Sequence, residues 1–178
     1  MASPIGHVAF GLAAASVVAR ATGTPDSAAL WLGAALASGI PDLDVVFPLF
    51  GLSKRYHRNA THSLLFAATV IALGFPAIRV LDLEPGLNLE LAWIAALLSH
   101  LLLDVLTTGP TLGRLGWGIP LFWPASPRRF HVERPLFVGD RTESHTLVDA
   151  LREMREDLTR IVPPCAAVVL LARFWPIG

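Results

Sequence analysis

Five apolar stretches, cut apart by charged loops, constrain this chain more than any other feature: roughly 4–19, 27–47, 62–80, 89–107 and 161–175. A helix that crosses the hydrocarbon core of a membrane needs about 20 residues, with a range near 17–25. The second, third and fourth stretches meet that length once polar residues at their ends are admitted. The first and last are short, and are expected to be tilted, partly embedded or buried against neighbours. Composition agrees, because 53% of the 178 residues are hydrophobic and only 16% are charged, against about 25% charged in soluble domains. The expected fold is therefore all-α, a polytopic membrane helix bundle of four to five spans, with a soluble all-helical domain as the alternative. Met1 to Ala19 lacks the basic start of a secretory signal. Ser3-Pro4 reads instead as a helix N-cap with proline at the first helical position, so this segment is expected to be mature structure.

Charge bias then sets the orientation. Eleven of the 14 basic residues fall in two loops: Lys54, Arg55 and Arg58, and Arg114, Arg128, Arg129, Arg134, Arg141, Arg152, Arg155 and Arg160. Under the positive-inside rule both loops are cytoplasmic, which puts the N-terminus inside. The expected organisation is a transmembrane core over 1–110, a cytoplasmic loop with an amphipathic helix over 111–160, and a C-terminal membrane helix over 161–178. The loop opens with a Gly/Pro/Trp-rich run, of which Trp117 to Pro124 is expected to form a lid. Farther on, Leu147, Leu151, Met154 and Leu158 recur at helical spacing among charged residues, so this helix should lie on the membrane or on the other helices. Equal numbers of basic and acidic residues give no sequence-independent pull toward nucleic acid. Membrane lipid is the expected surrounding partner.

Ionisable residues in membrane segments are costly, and they are not scattered here. His7 lies near the start of the first stretch, Asp42 and Asp44 near the end of the second, His57 to His62 at the start of the third, and His100 and Asp104 near the end of the fourth. In the topology set by hydropathy and charge, all four are cytoplasmic ends. Four sequence-distant clusters are thus expected to converge at one depth. Histidine and aspartate without cysteine suit a divalent ion of the zinc, manganese or iron type, and the single Cys165 excludes a thiolate cluster. His100 and Asp104, four apart, share one helical face. Asp42 and Asp44 follow Pro41, which suits a turn rather than continued helix. Taken singly each residue has a plain structural role as a capping, turn or ion-pair residue; taken together they point to a metal site, holding two ions or one ion with orienting carboxylates. His131 and His145 stand apart from the clusters.

The ordered set His7…Gly11, Gly39-x-Pro41-Asp42-x-Asp44, His57-Arg58-x-x-Thr61-His62-Ser63 and Ser99-His100-x-x-x-Asp104 resembles the YdjM-like family of LexA-regulated, inner-membrane, metal-dependent hydrolases. The likeness runs through about the first 110 residues, with Asn59 where that family's pattern has glycine. It implies an inner (plasma) membrane hydrolase using a divalent metal, and no particular substrate. On residue chemistry, His7, Asp44, His62, His100 and Asp104 are the expected ligands, zinc or manganese the expected ion. Asp42 and His57 are the expected acid/base or orienting groups. Arg58 and Lys54 would neutralise an anionic substrate, and Thr61 or Ser63 would hydrogen-bond it. The substrate expected from the location is a membrane-associated phosphoester or phospholipid. Two other readings stand beside the hydrolase: a divalent-metal transporter, and a non-catalytic membrane protein with a structural metal.

Overall fold

The computed structural model describes residues 2–44, 60–81, 86–108, 118–136 and 147–174. Among them are six α-helices: α1 (Pro4–Thr22), α2 (Ala28–Gly39), α3 (Leu64–Val80), α4 (Leu87–Thr107), α5 (Leu147–Arg160) and α6 (Val162–Phe174). The described residues contain no strand, only an isolated antiparallel bridge between Ile119 and Phe130.

Local chemistry explains the helix ends. Pro4 opens α1 after an extended Ser3, and Gly23 closes it in the left-handed region at φ 70°, where glycine carries no steric cost. The Ser27 hydroxyl accepts from the Leu30 N–H at the start of α2, and the Ser63 hydroxyl accepts from the Phe66 N–H at the start of α3. Helix α2 stops after 12 residues. Pro41 lacks an amide hydrogen and cannot continue the α-helical ladder, and residues 40–44 tighten into a 3-10 turn.

Helices α1 and α4, with 19 and 21 residues, are long and apolar enough to cross a membrane, at about 1.5 Å rise per residue. Apolar α3 and α6 are shorter, with 17 and 13 residues. The expected length ranking therefore shifts. The first stretch reaches spanning length, while the second is cut short at Pro41.

Helix α1 packs against α2, α4 and α6, and α2 packs against α4. Small residues line these seams: Ala15, Ala34, Ala92 and Ala96 are fully buried. A Cβ on Gly11 would lie 2.5 Å from the Ser38 Cβ, so α1 and α2 approach as closely as they do only because residue 11 has no side chain. Leu30, Leu97, Leu101 and Leu103 join them in the core, while many other large apolar side chains, Leu36, Leu73 and Leu171 among them, are exposed. So many exposed apolar side chains suit a chain surrounded by acyl chains.

The two ends of the bundle differ. At one end Arg79 makes a bidentate contact with buried Glu90, at 2.7 and 2.9 Å from one guanidinium nitrogen. Arg173 pairs there with Asp26 at 3.0 Å. The start of α1, the end of α2, the start of α3 and the end of α4 meet at the other end.

Candidate metal centre

The four polar clusters come together at that second end. Helix α1 supplies His7, the 40–44 turn Asp42 and Asp44, the 3-10 turn Ala60–His62 supplies His62, and the last turns of α4 supply His100 and Asp104. His7, Asp44, His62, His100 and Asp104 are almost fully buried. Asp42 keeps about a quarter of its side chain exposed, at 26%, and so marks the open side of the group.

Four donor atoms stand at the centre. His62 Nε2 lies 3.2 Å from His100 Nε2, 3.3 Å from Asp42 Oδ1 and 3.4 Å from Asp104 Oδ2. His100 Nε2 lies 3.6 Å from the same Asp42 and Asp104 oxygens. Ligands about 2.1 Å from a common ion at tetrahedral angles are separated by about 3.4 Å. Each of these five distances is close to that spacing. A second group overlaps the first: His7, Asp42 and His100 each offer a donor atom within 4.8 Å of the others. Asp104 turns its remaining oxygen, Oδ1, toward His7 Nε2 at 3.5 Å.

Surrounding groups hold both central imidazoles by their other nitrogen. His100 Nδ1 lies 2.7 Å from the Ser38 carbonyl; a carbonyl only accepts, so Nδ1 carries the proton and Nε2 presents a lone pair. That carbonyl is free for a reason visible in the chain. In a 3-10 turn it would face the N–H three residues on, which is Pro41 and has none. The Thr61 hydroxyl donates to Asp44 Oδ2 at 2.6 Å and lies 3.1 Å from His62 Nδ1. With its proton given to Asp44, the Thr61 oxygen accepts from His62 Nδ1–H, so His62 Nε2 also presents a lone pair. Two imidazole nitrogens with inward lone pairs and two carboxylate oxygens, at 3.2–3.6 Å from one nitrogen or the other, are the donor types that a divalent cation takes. Buried Asp104 sharpens the point, because among the described residues neither of its oxygens has a hydrogen-bond partner.

Not every residue sits where its type suggested. Asp42 is in the donor group, whereas Asp44 lies behind His62, 3.9 Å from Nδ1. Thr61 is buried and engaged with Asp44, and the Ser63 hydroxyl is engaged with Phe66 and the Ala60 carbonyl, so neither faces a substrate. His131 is exposed. His57, Arg58, Lys54, Trp117 and His145 lie outside the described residues. The contribution of the Ser38 carbonyl was missed, although proline three residues later was its signal. The segment 118–136 crosses this end of the bundle: the Leu121 carbonyl accepts from Leu64 N–H at 2.8 Å, and Val132 N–H donates to Thr108 at 3.1 Å.

A family model described as YdjM inner membrane protein matches residues 1–176. Inner membrane protein YbcI of Escherichia coli (strain K12) is 38% identical over 104 residues, which cover 57% of this chain. The match spans little more than half of that relative, 56% of its length. No solved structure matches the chain.

Proposed function

The chain belongs to the YdjM inner membrane protein family, and from that premise we propose that it is a multi-pass, metal-dependent hydrolase of the inner membrane. Its substrate class is a membrane-associated phosphoester or phospholipid, met at the cytoplasmic face. The observation that carries the reading is Asp104, a buried carboxylate with no hydrogen-bond partner among the described residues on either oxygen and imidazole nitrogens of His7, His62 and His100 at 3.4–3.6 Å.

His62, His100, Asp42 and Asp104 would hold one divalent ion, zinc or manganese by their N and O donors. His7, with the second Asp104 oxygen, would support another. Such an ion supplies Lewis acidity and a nucleophilic water near neutral pH. The chain's own residues do the positioning. Ser38 and the Thr61–Asp44 pair keep the two imidazoles turned Nε2-inward. Asp42, the partly exposed donor, lies on the side from which a substrate approaches. His57 would move a proton, and Arg58 with Lys54 would neutralise an anionic group. In the proposed topology four to five helices span, α2 continuing with the turn after it, and the N-terminus is cytoplasmic.

A transporter needs polar groups through the membrane. Among the described residues, the far end carries the Arg79–Glu90 and Arg173–Asp26 pairs, and apolar or small residues fill the seams between. That favours the hydrolase. The test is turnover by detergent-purified protein reloaded with zinc or manganese, on a panel of phosphoesters and phospholipids. Metal-dependent release of product that His100→Ala abolishes supports the reading. Metal uptake into proteoliposomes with no turnover of any ester overturns it.

A further inference from the structure

Among the described residues, helix α5 leaves its apolar side largely unpartnered. At about 100° per residue, Leu147, Leu151, Met154 and Leu158 fall within about 60° of one another. Yet Leu147 is 77% exposed, Leu151 55% and Leu158 51%. The helix touches the bundle along a different edge. Asp157 is buried and accepts from the Ser3 N–H. It sits so close to Gly6 that a Cβ there would lie 2.6 Å from its Oδ2. Helix α5 then passes at once into α6 through Ile161, which is 1% exposed in a cluster with Ala2 and Leu103.

These contacts fix the level of α5. Ser3 caps the start of α1, Gly6 lies in its first turn, and Leu103 is in the last turns of α4. Both helices are long and apolar enough to span, so α5 lies where the hydrocarbon gives way to headgroups. At that level the surroundings beside the bundle are bilayer. We propose that α5 is an interfacial helix, its Leu147/Leu151/Met154/Leu158 stripe inserted into the lipid beside the His/Asp end of the bundle. Its charges are nearly balanced, with Asp149, Glu153, Glu156 and Asp157 against Arg152, Arg155 and Arg160. Apolar insertion rather than net charge therefore holds it, with exposed Arg155 beside the stripe at headgroup height. Asp157 joins this helix to the first turn of α1, where His7 N–H donates to the Ser3 carbonyl. The proposal rests on membership of an inner-membrane family and is independent of the metal and hydrolase reading.

Nitroxide labels at Leu151→Cys and, about 140° around the helix, at Glu156→Cys test it. Both are made in a Cys165→Ala background and placed in phosphatidylethanolamine/phosphatidylglycerol nanodiscs. The label at 151 should favour oxygen over a water-soluble nickel chelate several-fold more than the label at 156. Its depth should be about 5–10 Å below the headgroups, unchanged by salt. Labels at Leu147→Cys and Glu153→Cys repeat the comparison should position 151 perturb folding. Equal access of the nickel chelate to both faces would overturn the proposal. So would spin–spin broadening at 151 that vanishes on dilution with unlabelled protein, which would make the occupant a second copy of the chain.

Discussion

Replacing Thr61 with valine removes one hydroxyl and almost no volume, and it isolates how His62 is oriented. In the wild type that oxygen links His62 Nδ1, at 3.1 Å, to Asp44 Oδ2, at 2.6 Å. Valine leaves His62 free to turn its proton inward, toward a group of acceptors 3.2–3.4 Å away. A metal must then displace that proton or re-orient the ring. Losing such an orienting partner weakens metal binding by about 10–100-fold, equivalent to about 1.4–2.7 kcal/mol. Competition titration of zinc against a chelator, in detergent at fixed pH, reads this directly. Thr61→Ser keeps the hydroxyl and should bind within a few-fold of wild type, which separates orientation from packing. Valine and serine variants with the wild-type zinc affinity would refute the account of His62.

Asp104→Asn preserves shape while removing the charge that the cluster needs. Chelation should lower the melting temperature of the wild type and leave that of the variant almost unmoved, because bound metal stabilises only a competent site. Gly11→Ala drives a Cβ to within 2.5 Å of Ser38, so α1 and α2 must separate at a cost of about 1–3 kcal/mol. Zinc affinity should fall with it, since Ser38 anchors His100; Gly74→Ala, which meets open space, should be neutral or stabilising in the same melting assay. Arg79→Met strips the guanidinium from buried Glu90 at the opposite end. It should cost less than the 3–5 kcal/mol of a fully buried pair, because the Arg79 side chain is 57% exposed, and leave zinc affinity unchanged.

Much of the site was legible because it obeys rules local to each segment. His100 and Asp104 share a face by helical period, Pro41 stops a helix wherever it stands, and charge bias aligned four segment ends without reference to their polar residues. The family resemblance carried by the four motifs is borne out over residues 1–176, beyond the region that suggested it. What stayed hidden depends on tertiary contact. Which of two aspartates faces inward is decided by the twist of the 40–44 turn, and their two-residue spacing after Pro41 did not distinguish Asp42 from Asp44. The anchoring of His100 uses a backbone carbonyl, which leaves no mark in side-chain identity. Helix α5 was readable as amphipathic, but its docking edge runs through Asp157, an acid whose burial depends on Gly6 and the N-terminus of α1.

The central claim is that this His/Asp cluster exists to hold a divalent cation. Elemental analysis of detergent-purified wild-type protein beside Asp104→Ala, both first stripped with chelator and then equilibrated with zinc and with manganese, tests it most directly. The account predicts at least one tightly held ion per wild-type chain and a loss of most of it in the variant, with both proteins eluting identically. Equal metal content in the two, or none in a folded wild type, would contradict it.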